Sequence, residues 1–174
     1  MAIKKILTEP NKLLRQISKV VEKVGKEEQK LMNDMLETMY DANGIGLAAI
    51  QVGVPLRVIV MDISKNQEKK NPMFFVNPVV KNKNIKLSTY EEGCLSVPNQ
   101  FAEIDRPNSC EVEYLDYNGK KSFLKAEGLL ATCIQHEMDH LEGILFIDYL
   151  SKLKKTMIIK KLSKQKGKAD RIVV

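Results

Sequence analysis

The sequence predicts an α+β fold, with antiparallel β-sheets packed around a central helix that carries a His-Glu-x-x-His motif and a further helix toward the C-terminal end. Three observations lead there. Apolar residues recur at helical spacing in well-separated segments, short strand-like runs lie between them, and an Asn-Gly pair at 118–119 joins two of those runs as a hairpin.

The elements follow in order. Residues 10–18 suggest a short helix after Pro10. Residues 26–43 set Leu31, Met35 and Met39 beside Met32, Leu36 and Tyr40 at helical spacing, with Gly44 as the expected C-cap, so this helix should face the core. From Pro55 the texture changes, and 57–62, 74–80, 109–117 and 120–126 read as strands, the last two paired antiparallel through Tyr117-Asn118-Gly119. The polar run at 65–71 reads as a surface loop. Residues 128–143 read as a second long helix and 151–166 as a third, basic and amphipathic one, whose Leu153, Met157, Ile158 and Leu162 are expected to pack on the domain.

With 174 residues, 44% hydrophobic and 29% charged, the chain has the proportions of one globular catalytic domain, 1–174, of which 151–174 form a basic helix and tail. No stretch approaches the roughly 18 apolar residues of a membrane span. The first residues lack the apolar segment and cleavage site of an export signal, so a cytoplasmic location is expected. Three cysteines are too few for a disulfide framework and leave thiols available as ligands. The net charge of +6 is concentrated in 65–86 and in the tail, with five Tyr, five Phe and no Trp to stack bases; neither DNA nor a membrane is expected as a partner.

Residues 136–140, His-Glu-Met-Asp-His, place two histidines one helical turn apart on one face, where they converge on a metal while Glu137 reaches a bound water. The bland alternative is a solvated helix face. These are the only two histidines, so a third ligand must be Asp, Glu or Cys. Downstream, only Glu142, Asp148 and Asp170 are acidic, and none is well placed, which sends the search upstream. Cys133 lies one turn before His136, yet helical side chains tilt toward the N-terminus and should carry its thiol away from the metal. Cys94, in Glu92-Gly93-Cys94-Leu95-Ser96, has backbone freedom from Gly93 and a bend at Pro98, a good setting for a ligand; the alternative is a buried small hydrophobe. In 44–51, Gly-Ile-Gly-Leu-Ala-Ala-Ile-Gln, a phosphate loop is disfavoured by the missing third glycine and Lys-Ser/Thr. A tight pocket wall that sets Gln51 to donate a hydrogen bond fits better.

Taken together, GIGLAAIQ at 44–51, EGCLS at 92–96 and QHEMDH at 135–140 resemble the three signature motifs of the peptide deformylases, in order and at plausible separations, and the likeness spans essentially the whole chain. The resemblance implies a cytoplasmic hydrolase of protein biosynthesis that removes the formyl group from the N-terminal formyl-methionine of nascent proteins. It implies a metal held by Cys94, His136 and His140, with Fe2+ as the native ion and Zn2+, Ni2+ or Co2+ able to replace it. Glu137 would act as general base and acid, while Gln51 and the backbone N–H of Leu95 would stabilise the oxyanion. Ile45, Tyr90, Leu129, Thr132 and Cys133 would line the methionine slot, and Gly46 would leave room for substrate backbone. Glu92 would either hold a charge at the rim or serve as a structural acceptor. Two departures stand out: Ile50 replaces the usual Pro, and Phe101-Ala102 follow the cysteine motif where some members carry an Arg. The resemblance also allows the basic tail to dock on the ribosome. Competing readings are a zinc peptidase and a small RNA-binding protein.

Overall fold

The computed structural model describes residues 2–64 and 69–172, with side chains through Gln165. Its elements are helix α1 (Lys26–Asp41), strands β1 (Gly46–Ala48), β2 (Val58–Met61), β3 (Met73–Lys83), β4 (Leu87–Cys94), β5 (Val97–Pro107), β6 (Ser109–Leu115) and β7 (Lys121–Glu127), helix α2 (Gly128–Leu141) and helix α3 (Lys152–Ile172). The α+β architecture with a C-terminal helix is the one the sequence predicts. Among the described residues no helix is long and apolar enough to cross a membrane.

Strand β2 explains the layering. Its four residues, Val-Ile-Val-Met, are all buried because both faces of the sheet are covered. Val58 and Val60 pack with Met32, Met35 and Met39 of α1, while Ile59 and Met61 pack with Ala131, Ile134 and Leu141 of α2. Period-two alternation thus sends successive residues into two cores. The sheet runs β1-β2-β3-β6-β7, antiparallel throughout, and β4-β5 form a separate two-stranded ribbon.

Several expectations shift. Residues 10–18 form only a single 3-10 turn, Lys12–Arg15, capped by the Asn11 side chain on Leu13 N–H and followed by extended backbone at Gln16. Helix α1 ends with Asn43, not Gly44, in the left-handed conformation (φ 55°). Gly44 N–H donates to the Met39 carbonyl at 2.9 Å and Asn43 N–H to the Tyr40 carbonyl at 3.0 Å, a Schellman closure one residue earlier than expected. Helix α3 does pack on the domain, but through Ile158 and Leu162 against Val97, Ile104 and Phe146; Leu153 (72% exposed) and Met157 (51% exposed) face outward instead. The chain also makes β1 and the β4–β5 ribbon, neither expected as strands. Part of the polar loop at 65–71, residues 65–68, lies outside the described residues.

Candidate active site

Helix α2 sets the frame. Ala131, Ile134 and Leu141 bind one of its faces to the sheet, which leaves His136, Glu137 and His140 on an adjacent face that is also buried. The one-turn spacing holds the two imidazole rings 5.1 Å apart, nearly perpendicular. Opposite them, the turn between β4 and β5 delivers Cys94, whose Sγ lies 3.3 Å from His140 Nε2. Ligand atoms of Cys94, His136 and His140 all lie within 4.8 Å of one another. Tetrahedral coordination with ordinary metal–sulfur and metal–nitrogen bonds puts sulfur and nitrogen about 3.6 Å apart, so one thiolate and two imidazoles here fit a divalent metal.

The tautomer of His136 supports that fit. Its Nδ1–H donates to Glu92 Oε2 at 2.8 Å, leaving the Nε2 lone pair for the cluster, the carboxylate–histidine arrangement common around metals. Arg106 in turn forks onto both oxygens of Glu92, at 2.6 and 3.0 Å, and reaches Asp139 at 2.8 Å. Tyr149 closes this chain, its hydroxyl donating to Asp139 at 2.8 Å and its ring 4.9 Å from the guanidinium. Burial opposes the charge on Glu92, but hydrogen bonds from His136 and Arg106 outweigh it and hold the carboxyl below its ordinary range. Burial drives His140 well below its usual range, so its ring stays neutral. Among the described residues His140 Nδ1 is buried with no hydrogen-bond partner, and packing and the Cys94 contact orient this ring.

Glu137 is buried, and burial pushes its pKa up to about 7. One of its oxygens, Oε2, has no hydrogen-bond partner among the described residues. Such a carboxyl can accept and release a proton near neutrality. Gly46 on β1 faces it so closely that a Cβ would stand 2.5 Å from Glu137 Oε1 and 3.0 Å from Cys133 Sγ, so the absence of a side chain at 46 is a condition for this geometry.

Gln51 sits in the 3-10 turn Ala49–Val52 after β1, nearly inaccessible. Its Oε1 accepts the Ala48 N–H at 2.8 Å, and its Nε2 donates to Ser96 Oγ at 3.0 Å and, at 3.6 Å, to Cys94 Sγ. The amide nitrogen therefore faces the three-ligand cluster.

A cavity of about 510 Å³ opens above these groups, lined by Ile45, Gly46, Gln51, Tyr90, Glu92, Cys94, Leu95, Thr132, Cys133, His136 and Glu137, and it reaches Leu129 and Phe101 at its mouth. The cavity brings together every candidate catalytic, substrate-binding and metal-ligating residue named from the sequence except His140, which is fully buried. Cys133 stays outside the three-ligand cluster, its thiol 3.9 Å from the Ile45 carbonyl. Glu92 is buried and bonded to His136 and Arg106, the acceptor role rather than a charge at the rim. Phe101 (65% exposed) lies against Gly93, where a Cβ would meet its ring at 2.6 Å.

Sequence reasoning missed Ser96, Asp139 and the use of Arg106. Ser96 and Asp139 lie inside the quoted motifs, but what they touch depends on the β4–β5 ribbon folding back onto α2.

Comparison with known proteins follows the same lines. A family model described as polypeptide deformylase matches residues 3–156. The chain is 76% identical to a peptide deformylase of Pelagibacter ubique (strain HTCC1062) over 174 residues, all of both chains. It is 54% identical to a peptide deformylase of Rhizobium meliloti (strain 1021) over 164 residues, 94% of each. Among solved structures, the crystal structure of peptide deformylase from Ehrlichia chaffeensis superposes with a TM-score of 0.90 at 41% identity, covering 95% of this chain and 97% of that one.

Proposed function

The chain belongs to the peptide deformylase family, and with that membership as premise we propose how its cleft removes the formyl group from the N-terminal formyl-methionine of nascent proteins, releasing formate. The observation that carries the reading is the convergence of Cys94, His136 and His140 beside a buried Glu137 at the floor of a largely apolar cleft. We take 1–174 as one catalytic domain.

When bound, a divalent metal supplies Lewis-acid chemistry that makes a water nucleophilic near neutral pH. Cys94, His136 and His140 would hold it, and Glu92 and Arg106 fix the His136 ring. The methionine side chain occupies the slot between Ile45, Tyr90, Leu129, Thr132 and Cys133, with Gly46 leaving room for substrate backbone beside Glu137. Glu137 takes the proton of the attacking water and passes it to the departing amine, which its pKa of about 7 suits in both directions. As the formyl carbon becomes tetrahedral, its oxygen receives hydrogen bonds from the Gln51 amide and the Leu95 backbone N–H. Loss of one such donor costs on the order of a hundredfold in rate.

We assign Fe2+ as the native metal, with Zn2+, Ni2+ and Co2+ as substitutes; a Cys-plus-two-His set admits all four. Ferrous iron beside a thiolate makes activity oxygen-sensitive, so iron-loaded enzyme should lose activity in air faster than nickel-loaded enzyme of equal metal content; equal losses would count against iron. The test of the main reading is formate release from formyl-Met-Ala-Ser, with acetyl-Met-Ala-Ser alongside, by wild type, Cys94→Ala and Glu137→Ala. Rapid release from the formyl peptide alone is expected, with activity lost in both variants and metal lost mainly in Cys94→Ala. A metal-replete wild type that releases no formate would sink it.

A second contact is favoured by one observation: on α3, Leu153 and Met157 stand exposed among lysines while Ile158 and Leu162 anchor the helix. We propose that this outer face meets the ribosome. Affinity should fall steeply with salt and with neutralisation of exposed Lys154 and Lys161. Salt-independent affinity would remove the proposal.

A further inference from the structure

Ser96 is fully buried, belongs to the Glu-Gly-Cys-Leu-Ser motif, and has no part in the chemistry above. Its hydroxyl is the acceptor for one of the two protons of the Gln51 amide, at 3.0 Å. The other end of that amide is fixed by the Ala48 N–H on Oε1 at 2.8 Å, which also decides which end is oxygen. One hydrogen bond would leave the amide free to swing about its last torsion; two at opposite ends fix its plane. With one proton committed to Ser96, the second N–H points at Cys94 Sγ, to which it donates a long hydrogen bond of 3.6 Å, on the side of the three-ligand cluster where substrate would enter.

The backbones of the two residues are held independently. The Gln51 carbonyl accepts the Leu7 N–H at 2.7 Å, and the Ser96 carbonyl accepts the Glu9 N–H at 2.8 Å. One short segment near the N-terminal end thus joins the 3-10 turn after β1 to the turn between β4 and β5. The Gln51–Ser96 side-chain bond spans two anchored backbones and is not needed to bring them together.

We propose that Ser96 is a positioning residue for deformylation: by accepting one N–H of the Gln51 amide it aims the other at the carbonyl oxygen of the substrate as negative charge develops there. The proposal rests on the reading of Gln51 as an oxyanion donor. Because such a donor acts in the transition state and not in the ground state, its misalignment lowers kcat and leaves KM nearly unchanged.

The experiment is a double-mutant cycle on metal-loaded enzyme with formyl-Met-Ala-Ser: wild type, Ser96→Ala, Gln51→Ala and the double variant, each with metal content and thermal midpoint measured. Ser96→Ala should lower kcat about tenfold, part of the hundredfold that full loss of a donor costs. Its KM should stay within about twofold, and adding Ser96→Ala to Gln51→Ala should lower kcat no further. A Ser96→Ala enzyme with wild-type kcat, beside a slow Gln51→Ala, overturns the role of Ser96 alone. So does a loss that multiplies undiminished in the Gln51→Ala background or that follows lost metal. A Gln51→Ala enzyme as fast as wild type overturns the premise about Gln51, and Ser96 with it.

Discussion

Replacing Gly46 by alanine tests the central geometry with one methyl group. The added Cβ would stand 2.5 Å from Glu137 Oε1, 2.9 Å from Glu137 Cδ and 3.0 Å from Cys133 Sγ. Ordinary contact begins at 3.4 Å, so the carboxylate must retreat by 3.4 − 2.5 = 0.9 Å. The strand cannot yield instead, because Gly46 is paired with Met61 and buried. A displacement of about 1 Å in a group that must meet a reacting proton costs on the order of a hundredfold in rate, whereas an extra carbon in a packed site costs about 1–3 kcal/mol in stability. Gly46→Ala should therefore be folded, somewhat destabilised, and about a hundredfold slower in formate release. It should still bind its full complement of metal, since none of Cys94, His136 and His140 is among the atoms the methyl meets. Steady-state kinetics on formyl-Met-Ala-Ser, metal content and urea unfolding measure these separately. A variant with wild-type kcat would refute the placement of Glu137 at the reacting centre, and one that lost its metal would show the damage to be structural.

Three other outcomes follow. Glu92→Gln keeps the shape but removes the charge that orients His136 and partners Arg106; metal affinity measured against a competing chelator should fall about 10–100-fold, and an unchanged affinity would deny the carboxylate its orienting role. Among the described residues Thr132 Oγ1 is buried without a partner, so Thr132→Val should stabilise the protein by about 1 kcal/mol in urea unfolding, and destabilisation would mean the hydroxyl is satisfied. Burial raises the Asp148 pKa, but Lys155, the Leu145 N–H and Arg15 outweigh it and hold the folded carboxyl below its ordinary value. Its contribution is thus present above about pH 4 and lost as pH falls through the folded pKa. The stability gap between wild type and Asp148→Asn should be level from pH 7 to about 5 and close below about 4; a gap that widened in acid would contradict the sign.

Much of this protein was legible in its sequence, because local physics wrote it there. The i, i+4 histidines declare themselves through helical periodicity, and with no other histidine in the chain the remaining ligand had to be a thiol or a carboxylate. Strand β2 reads as an unbroken apolar run because both its faces are buried, and the β6–β7 hairpin reads from its Asn-Gly turn. The β4–β5 ribbon was silent for the opposite reason. Its inward face carries Tyr90, Glu92, Ile104 and Arg106, so the alternation that marks a strand is scrambled by polar residues the site requires. Tertiary structure alone decided what those residues meet: Arg106 forks onto Glu92, Glu92 fixes His136, and Ser96 holds Gln51, each across at least 14 residues of chain. It also decided which face of α3 packs, since Leu153, Met157, Ile158 and Leu162 are equally apolar and only the surface formed by Val97, Ile104 and Phe146 selects between them. Residue types and spacing determined what chemistry the chain could perform, while burial, which raises Glu137 toward neutrality and makes each hydrogen bond costly to lose, arises only when distant segments exclude water together.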